Sequence, residues 1–149
     1  MPTDVEIVNI GHAIQLAVAP VFLLTGLATL LGVIANRLAR VIDRARAIEA
    51  NWPAIDSDTR RTALIEMGRL EQRRHACSWS INFCTVAALL VCLVIVALFM
   101  EQLFSTHLGW FIASFFVAAM VLVVLGLLWF LREVYLATHM TAIDTARFK

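Results

Sequence analysis

The sequence predicts an all-α membrane protein with three transmembrane helices and an antiparallel helical hairpin between the first and second spans. Three observations lead to this prediction. Apolar residues make up 61% of the 149 residues and charged residues only 15%, which excludes the usual composition of a soluble globular domain. Three long stretches lack Asp, Glu, Lys and Arg altogether. Between the first two stretches, apolar residues recur every three or four positions, as they do in an amphipathic helix.

The uncharged stretches set the predicted spans. Each stretch is at least 25 residues long, so each can cross a hydrocarbon core of about 30 Å. The length of the chain leaves room for one membrane domain and for no separate catalytic domain. The predicted single domain, 1–149, comprises spans at 14–36, 78–100 and 108–131, a cytoplasmic hairpin at 37–77 and a cytoplasmic C-terminal tail at 132–149.

The distribution of basic residues predicts the orientation. Residues 1–13 and 101–107 contain no Lys or Arg, whereas 37–75 contain nine and 132–149 contain three. Basic residues accumulate on the cytoplasmic side of membrane proteins, so we expect the N-terminus outside and the C-terminus in the cytoplasm. Because the segment before the first span is acidic rather than basic, we expect this span to be retained and not cleaved as a signal peptide.

The hairpin is predicted to begin as a continuation of the first span. The first helix should end before Pro53, because the residue preceding a proline is pushed out of helical geometry. The return helix should begin near Asp58 and continue into the second span. The inner apolar positions of the two helices are predicted to be Leu38, Val41, Ile42, Ala45, Ile48 and Trp52 on the first, and Ala63, Met67, Leu70 and Cys77 on the second.

Charged residues on the hairpin offer candidate salt bridges and a basic stripe. Asp43 can pair with Arg40 or Arg46, and Glu66 with Arg69, at three-residue spacing on one helix. Arg37, Arg40 and Arg44 lie at three- and four-residue spacing, so they share one side of the helix just below the membrane. Such a stripe can bind anionic lipid headgroups, or it can line the inner mouth of a pore built from several subunits.

The first span contains candidate pore or packing residues. Pro20 removes one backbone donor, which predicts a kink or a late helix start. Small and polar residues at four-residue spacing are typical of close helix packing, within one subunit or between subunits. Polar residues elsewhere in the spans, such as Ser80 and Ser114, are also expected to form hydrogen bonds between helices. The candidates in the first span are Pro20, Thr25, Gly26, Thr29, Gly32 and Asn36.

The sequence lacks the residues that most membrane chemistry requires. The absence of charged residues from all three stretches disfavours proton relays and ion-coupled transport. We find no phosphate-binding loop, zinc motif or nucleophile elbow, so we expect no enzyme, cofactor or metal. The three cysteines are expected to act as small packing residues. Four histidines lie near predicted interfaces and are expected to be exposed rather than to bind haem or a metal: His12, His75, His107 and His139.

A family resemblance rests on APVFLLTG at 19–26 and NRLARVIDRAR at 36–46, followed by a return helix with LEQRRHACSWSI at 70–81. In these segments the sequence resembles a family of small bacterial inner-membrane proteins of unknown function. The resemblance implies a three-span membrane protein. It supplies no activity, substrate or cofactor.

Two functional hypotheses follow from the sequence. The first is a non-enzymatic homo-oligomer, which can take the form of an ion channel. Three helices barely enclose a path of their own, so a channel would require several copies, with the first span lining the path. The second is a membrane-anchored interaction or scaffold protein that acts through the hairpin. The expected partners are the lipid bilayer, especially anionic headgroups, and further copies of the chain, but no nucleic acid.

Overall fold

The computed structural model describes the backbone of residues 4–54, 56–104 and 108–144. Within these ranges the chain is almost entirely helical. The elements are α1 (Asp4–Asn51), a 3-10 turn (Trp52–Ala54), α2 (Ser57–Phe104) and α3 (Gly109–Asp144).

All three helices are long and apolar enough to cross a membrane. The qualifying segments are Ile14–Asn51, Thr59–Phe104 and Gly109–Ala137, and each contains nearly all of one predicted span. The all-α prediction with three candidate membrane helices is therefore confirmed. In the most apolar part of each helix only 11% to 22% is buried, as expected for helices that contact lipid.

The connection between α1 and α2 lies where the proline predicts it. The first helix ends at Asn51, two residues before Pro53, and the second begins at Ser57, beside the predicted Asp58. The backbone N–H of Arg60 donates to the carbonyl of Asp56 at 2.9 Å, which closes the first turn of α2. This tight connection makes α1 and α2 antiparallel neighbours in the hairpin.

The hairpin belongs to one compact unit, formed by the described residues of 32–82 and those from 125 onward. Its core contains residues from both hairpin helices, at spacings of three, four and seven along each helix. These positions belong to the predicted inner stripes, and the two amphipathic faces pack against each other there. The buried members are Val41, Ile48, Ala63 and Leu70, and Ala45, Trp52 and Met67 pack against them.

The second compact unit contains the described residues of 4–31 and of 83–124. Its core is built from Leu27 on α1 with Cys84 and Ala87 on α2, and Leu122 and Val123 of α3 pack against it. Small residues on α2 let bulkier neighbours approach closely, the usual arrangement where helices pack in lipid. Cys84 therefore acts as the small packing residue that the sequence predicts.

Two helix ends differ from expectation. Pro20 lies inside α1, which already begins at Asp4, so the alternative of a late helix start at the proline is wrong. A proline removes only one backbone donor, and helices in lipid can tolerate that loss. At the other end of the chain, α3 continues as a helix to Asp144. This helix therefore includes Arg132 and Glu133, which directly follow the third uncharged stretch.

Candidate functional site

A buried carboxylate joins the three helices of the hairpin unit. Glu133 lies on α3 just after the third uncharged stretch, and its side chain is 0% exposed. It accepts a hydrogen bond of 2.7 Å from Nη1 of Arg37 on α1. Arg73 on α2 donates to the other carboxylate oxygen from Nη2 at 2.9 Å and from Nε at 3.3 Å. We call these three residues the Glu133 triad.

The triad balances the cost of burying its carboxylate. An isolated charge in a low-dielectric interior costs several kcal/mol, so a buried carboxylate requires close partners. Both partners remain partly solvated, because the side chains of Arg37 and Arg73 are 32% and 25% exposed. The guanidinium of Arg37 also lies 5.3 Å from the ring centroid of Phe130, in a cation–π contact. The triad therefore links α1, α2 and α3 by charge as well as by packing.

A cavity of about 350 Å³ opens beside the triad. Its polar lining consists of arginines from two helices, and its apolar lining comes from all three. We call it the arginine cavity. It is lined by Arg37, Arg40, Arg44, Arg73, Val41, Leu70 and Ala137.

The arginine cavity has an excess of positive charge. Arg37 and Arg73 share the single carboxylate of Glu133. Nε of Arg44 donates to Oε1 of Glu66 at 2.7 Å, in an ion pair that water reaches from both sides. Arg40 is exposed and forms no ion pair with any residue that the structure describes. Four guanidinium groups are thus matched by two carboxylates.

The residues of the predicted basic stripe lie together, whereas the observed salt bridges differ from the predicted ones. The stripe of Arg37, Arg40 and Arg44 comes together along one side of the cavity. Glu66 pairs with Arg44 of the opposite hairpin helix, and not with Arg69. The antiparallel pairing of the helices brings these two side chains face to face, an arrangement that spacing along one helix does not reveal. Asp43, Arg46 and Arg69 are exposed, with no ion pair among the residues described.

One further ion pair lies on the exposed face of α2. Arg74 donates two hydrogen bonds to Glu71, of 2.6 and 2.9 Å, at three-residue spacing. Nε2 of His75 lies 3.5 Å from the same carboxylate. These side chains are about half exposed or more, so the pairing contributes little to stability.

Two contacts join α2 to α3 in the same unit. The hydroxyl of Ser80 is buried and donates to the carbonyl of Gly126 at 2.7 Å. The rings of Trp79 and Trp129 stack with centroids 6.3 Å apart. The expected hydrogen bond between helices is therefore confirmed for Ser80.

Three other polar residues of the spans behave differently. The hydroxyls of Thr25, Thr29 and Ser114 donate to carbonyls four residues earlier on their own helices. Within one chain, these three hydroxyls therefore bond along their own helices and not between helices. An exposed hydroxyl in lipid satisfies itself most readily on the preceding turn of its own helix.

The candidate packing residues of α1 are mostly exposed. Thr25, Gly26, Thr29, Gly32 and Asn36 are all exposed. A Cβ built at either glycine would meet nothing within 4 Å. The described part of the chain therefore does not use this small-residue face for its own packing. Pro20, by contrast, is buried.

The described histidines show no metal-binding arrangement. His12 and His75 are exposed, while His107 and the side chain of His139 lie outside the described residues. In the described part of the chain, no group of three His, Cys, Asp or Glu side chains is placed to hold a metal ion.

Sequence reasoning missed Glu133 and Arg73, although a signal exists. Arg37 directly follows the first uncharged stretch, Arg73 shortly precedes the second, and Glu133 shortly follows the third. With alternating spans, these three positions belong to the same side of the membrane and to a similar depth. Opposite charges at one depth favour an ion pair. Counting the charges of each loop separately does not reveal such a pair, because its members belong to different loops.

The fold and the site define a small multi-pass membrane protein whose three helices meet at a buried ion-pair triad. Residues 17–143 match the family described as protein of unknown function, DUF2721. This match covers most of the chain, so the chain belongs to that family, and the expectation of an uncharacterised family is confirmed. No curated protein and no solved structure matches the chain.

Proposed function

We propose that the protein is a non-enzymatic homo-oligomer of the bacterial inner membrane, with its N-terminus outside and its hairpin and C-terminus in the cytoplasm. The supporting observation is the exposed face of α1 that carries small and polar residues. The orientation rests on the basic residues, nine of which lie in 37–75 and three in 132–149.

The face of α1 suits close contact with another helix. Thr25, Thr29, Gly32 and Asn36 recur every three or four residues and are all exposed. Interfaces between membrane helices are enriched in such small residues, because they let two backbones approach. The two threonine hydroxyls are satisfied on their own helix, so these two positions offer a second copy their small size rather than unmet hydrogen bonds.

An ion channel is one form that such an oligomer can take. A ring of four or more copies would place α1 around a common axis, with Thr25, Thr29 and Asn36 along the path. Arg37 and Arg40 would then stand at the inner mouth, where fixed positive charge favours anions. A conducting ring of this kind requires several copies, because three helices barely enclose a path.

The oligomeric state tests the proposal directly. We expect native mass spectrometry of the full-length protein in nanodiscs to give a defined assembly of four or more copies. Gly32→Leu should shift this assembly toward monomers, because a large side chain blocks the close approach. Val33→Leu is the matched control, since Val33 is a neighbouring exposed position that is already large. A wild-type monomer or dimer would contradict the proposal.

Flux in liposomes tests the channel form. We expect chloride to pass faster than potassium, and Arg40→Glu to reverse this preference while leaving the Glu133 triad intact. An assembled oligomer with no flux under steps of voltage, pH and osmolarity would exclude the channel form and leave the oligomer.

A second candidate function is that of a membrane-anchored interaction protein. Leu64 and Ile65 on the hairpin part of α2 are 59% and 51% exposed, although they lie outside the uncharged stretches. Exposed apolar residues on an otherwise charged surface are typical of protein contact sites. A photo-crosslinker at Asp56 should then capture one stoichiometric partner, and the capture should be lost on Leu64→Ser with Ile65→Ser. Self-crosslinks alone would contradict this function.

A further inference from the structure

The arginine cavity has the size and lining of a binding site. Its volume of about 350 Å³ lies near the lower end of the range of about 300–1,000 Å³ that is usual for small-molecule pockets. Guanidinium groups of Arg37, Arg40, Arg44 and Arg73 line it from two helices. Several guanidinium groups around one space are typical of sites for phosphate, which accepts paired N–H groups from arginine.

The charge of the cavity calls for an anion. Glu133 and Glu66 neutralise two of the four guanidinium groups, so an excess of about two positive charges remains. Arg40 contributes most directly to this excess, because it forms no ion pair with any described residue. A phosphate group would supply the missing negative charge.

The Glu133 triad preorganises two of the four arginines. Each guanidinium offers five N–H donors. The bonds to Glu133 use one donor of Arg37 and two of Arg73, which leaves donors on both groups for a second anion. Because Glu133 already holds these side chains in place, an anion that binds there loses little free energy to their ordering.

The cavity also lies at a depth that a lipid headgroup reaches. Arg37 directly follows the first uncharged stretch, and Arg73 lies just before the second. The glycerophosphate layer of a bilayer begins where the apolar stretches end. Arginines at this level attract anionic headgroups more strongly than arginines farther along the hairpin.

We infer that the arginine cavity binds a phosphate group, with Arg40 as its principal unpaired ligand and the Glu133 triad holding Arg37 and Arg73 in position. Either an anionic phospholipid headgroup or a soluble phosphate can supply this group. All the lining residues belong to one subunit, so a single copy of the chain contains the whole cavity.

Native mass spectrometry of the detergent-solubilised full-length protein tests the inference with two probes. One probe is phosphatidylglycerol, compared with phosphatidylcholine. The other is inorganic phosphate, compared with chloride at equal ionic strength, with thermal unfolding as the readout. A lipid source predicts retained phosphatidylglycerol and no response to phosphate. A soluble source predicts a higher midpoint of unfolding in phosphate and no preference between lipids.

Two matched variants identify the cavity as the site. Arg40→Gln should weaken binding of the effective probe about fivefold, which corresponds to about 1 kcal/mol for one arginine near the membrane surface. Arg69→Gln removes the same charge from an exposed position outside the cavity and should leave binding unchanged. Equal losses in both variants would indicate general surface attraction and overturn the inference. Binding of neither probe to the wild type would also overturn it.

Discussion

Arg37 on α1 donates a hydrogen bond of 2.7 Å to the buried carboxylate of Glu133 on α3. The two residues are 96 positions apart in the chain, yet each lies beside the end of an uncharged stretch. Arg73 completes the arrangement from α2. The only buried charged side chain among the described residues thus lies where the apolar parts of all three helices end.

Removing the charge of Glu133 should destabilise the fold strongly. Glu133→Gln leaves two arginines side by side without their carboxylate, and breaking a buried ion pair from one side typically costs about 3–5 kcal/mol. We expect about 3 kcal/mol, at the lower end, because water partly solvates both arginines. Unfolding by a denaturing detergent, followed by circular dichroism, measures the loss.

Glu66→Gln is the matched control for that experiment. It removes the same charge from an exposed pair with Arg44 and should cost at most about 1 kcal/mol. Similar losses of stability in both variants would show that the buried ion pairs of Glu133 stabilise the fold no more than an exposed pair does.

Replacing all three residues of the Glu133 triad should destabilise the fold less than removing the charge of Glu133 alone. The combination of Arg37→Met, Arg73→Met and Glu133→Leu replaces every charge by an apolar side chain. Since this change leaves no uncompensated charge behind, we expect it to be more stable than Glu133→Gln alone, by about 1 kcal/mol or more. The same detergent titration gives the comparison. If the triple variant is the less stable of the two, the triad adds net stability to the fold beyond the neutralisation of a buried charge.

Much of this fold is predictable because its determinants are local. Three uncharged stretches predict the membrane helices, and Pro53 predicts the end of α1. The hairpin core is predicted by the three- and four-residue spacing of Val41, Ala45 and Ile48 on α1 and of Ala63, Met67 and Leu70 on α2. Each of these signals lies within one segment, so no knowledge of the other segments is needed.

The site is harder to predict because its determinants are not local. Glu133 lies beside Arg132 in a segment that charge counting assigns to the cytoplasmic side, and nothing nearby marks it as buried. Its burial follows only from the packing of α3 against α1 and α2. Similarly, the pairing of Glu66 with Arg44 depends on the register between two helices, which spacing along one helix does not fix.

The hairpin core should depend on Leu70 far more than on Leu64. Both are leucines on α2, but Leu70 is buried in the core and Leu64 is mostly exposed. Leu70→Ala should cost about 2–3 kcal/mol, because it removes buried surface and leaves a cavity. Leu64→Ala should change stability by at most about 0.5 kcal/mol. Thermal unfolding of both variants gives the comparison, and equal shifts would contradict the observed packing of the hairpin.

The hydroxyls of Ser80 and Ser114 provide a similar test of the contact between α2 and α3. Ser80 is buried and donates to Gly126 on the neighbouring helix, whereas Ser114 is exposed and donates to its own helix. Ser80→Ala should cost about 0.6–1 kcal/mol, the usual range for one hydrogen bond between membrane helices. Ser114→Ala should be neutral, because its carbonyl partner keeps its bond within the helix. The free energies of unfolding of the two variants in detergent measure both effects. A loss at Ser114 as large as that at Ser80 would mean that the exposed hydroxyl contacts another molecule, as it would in an oligomer.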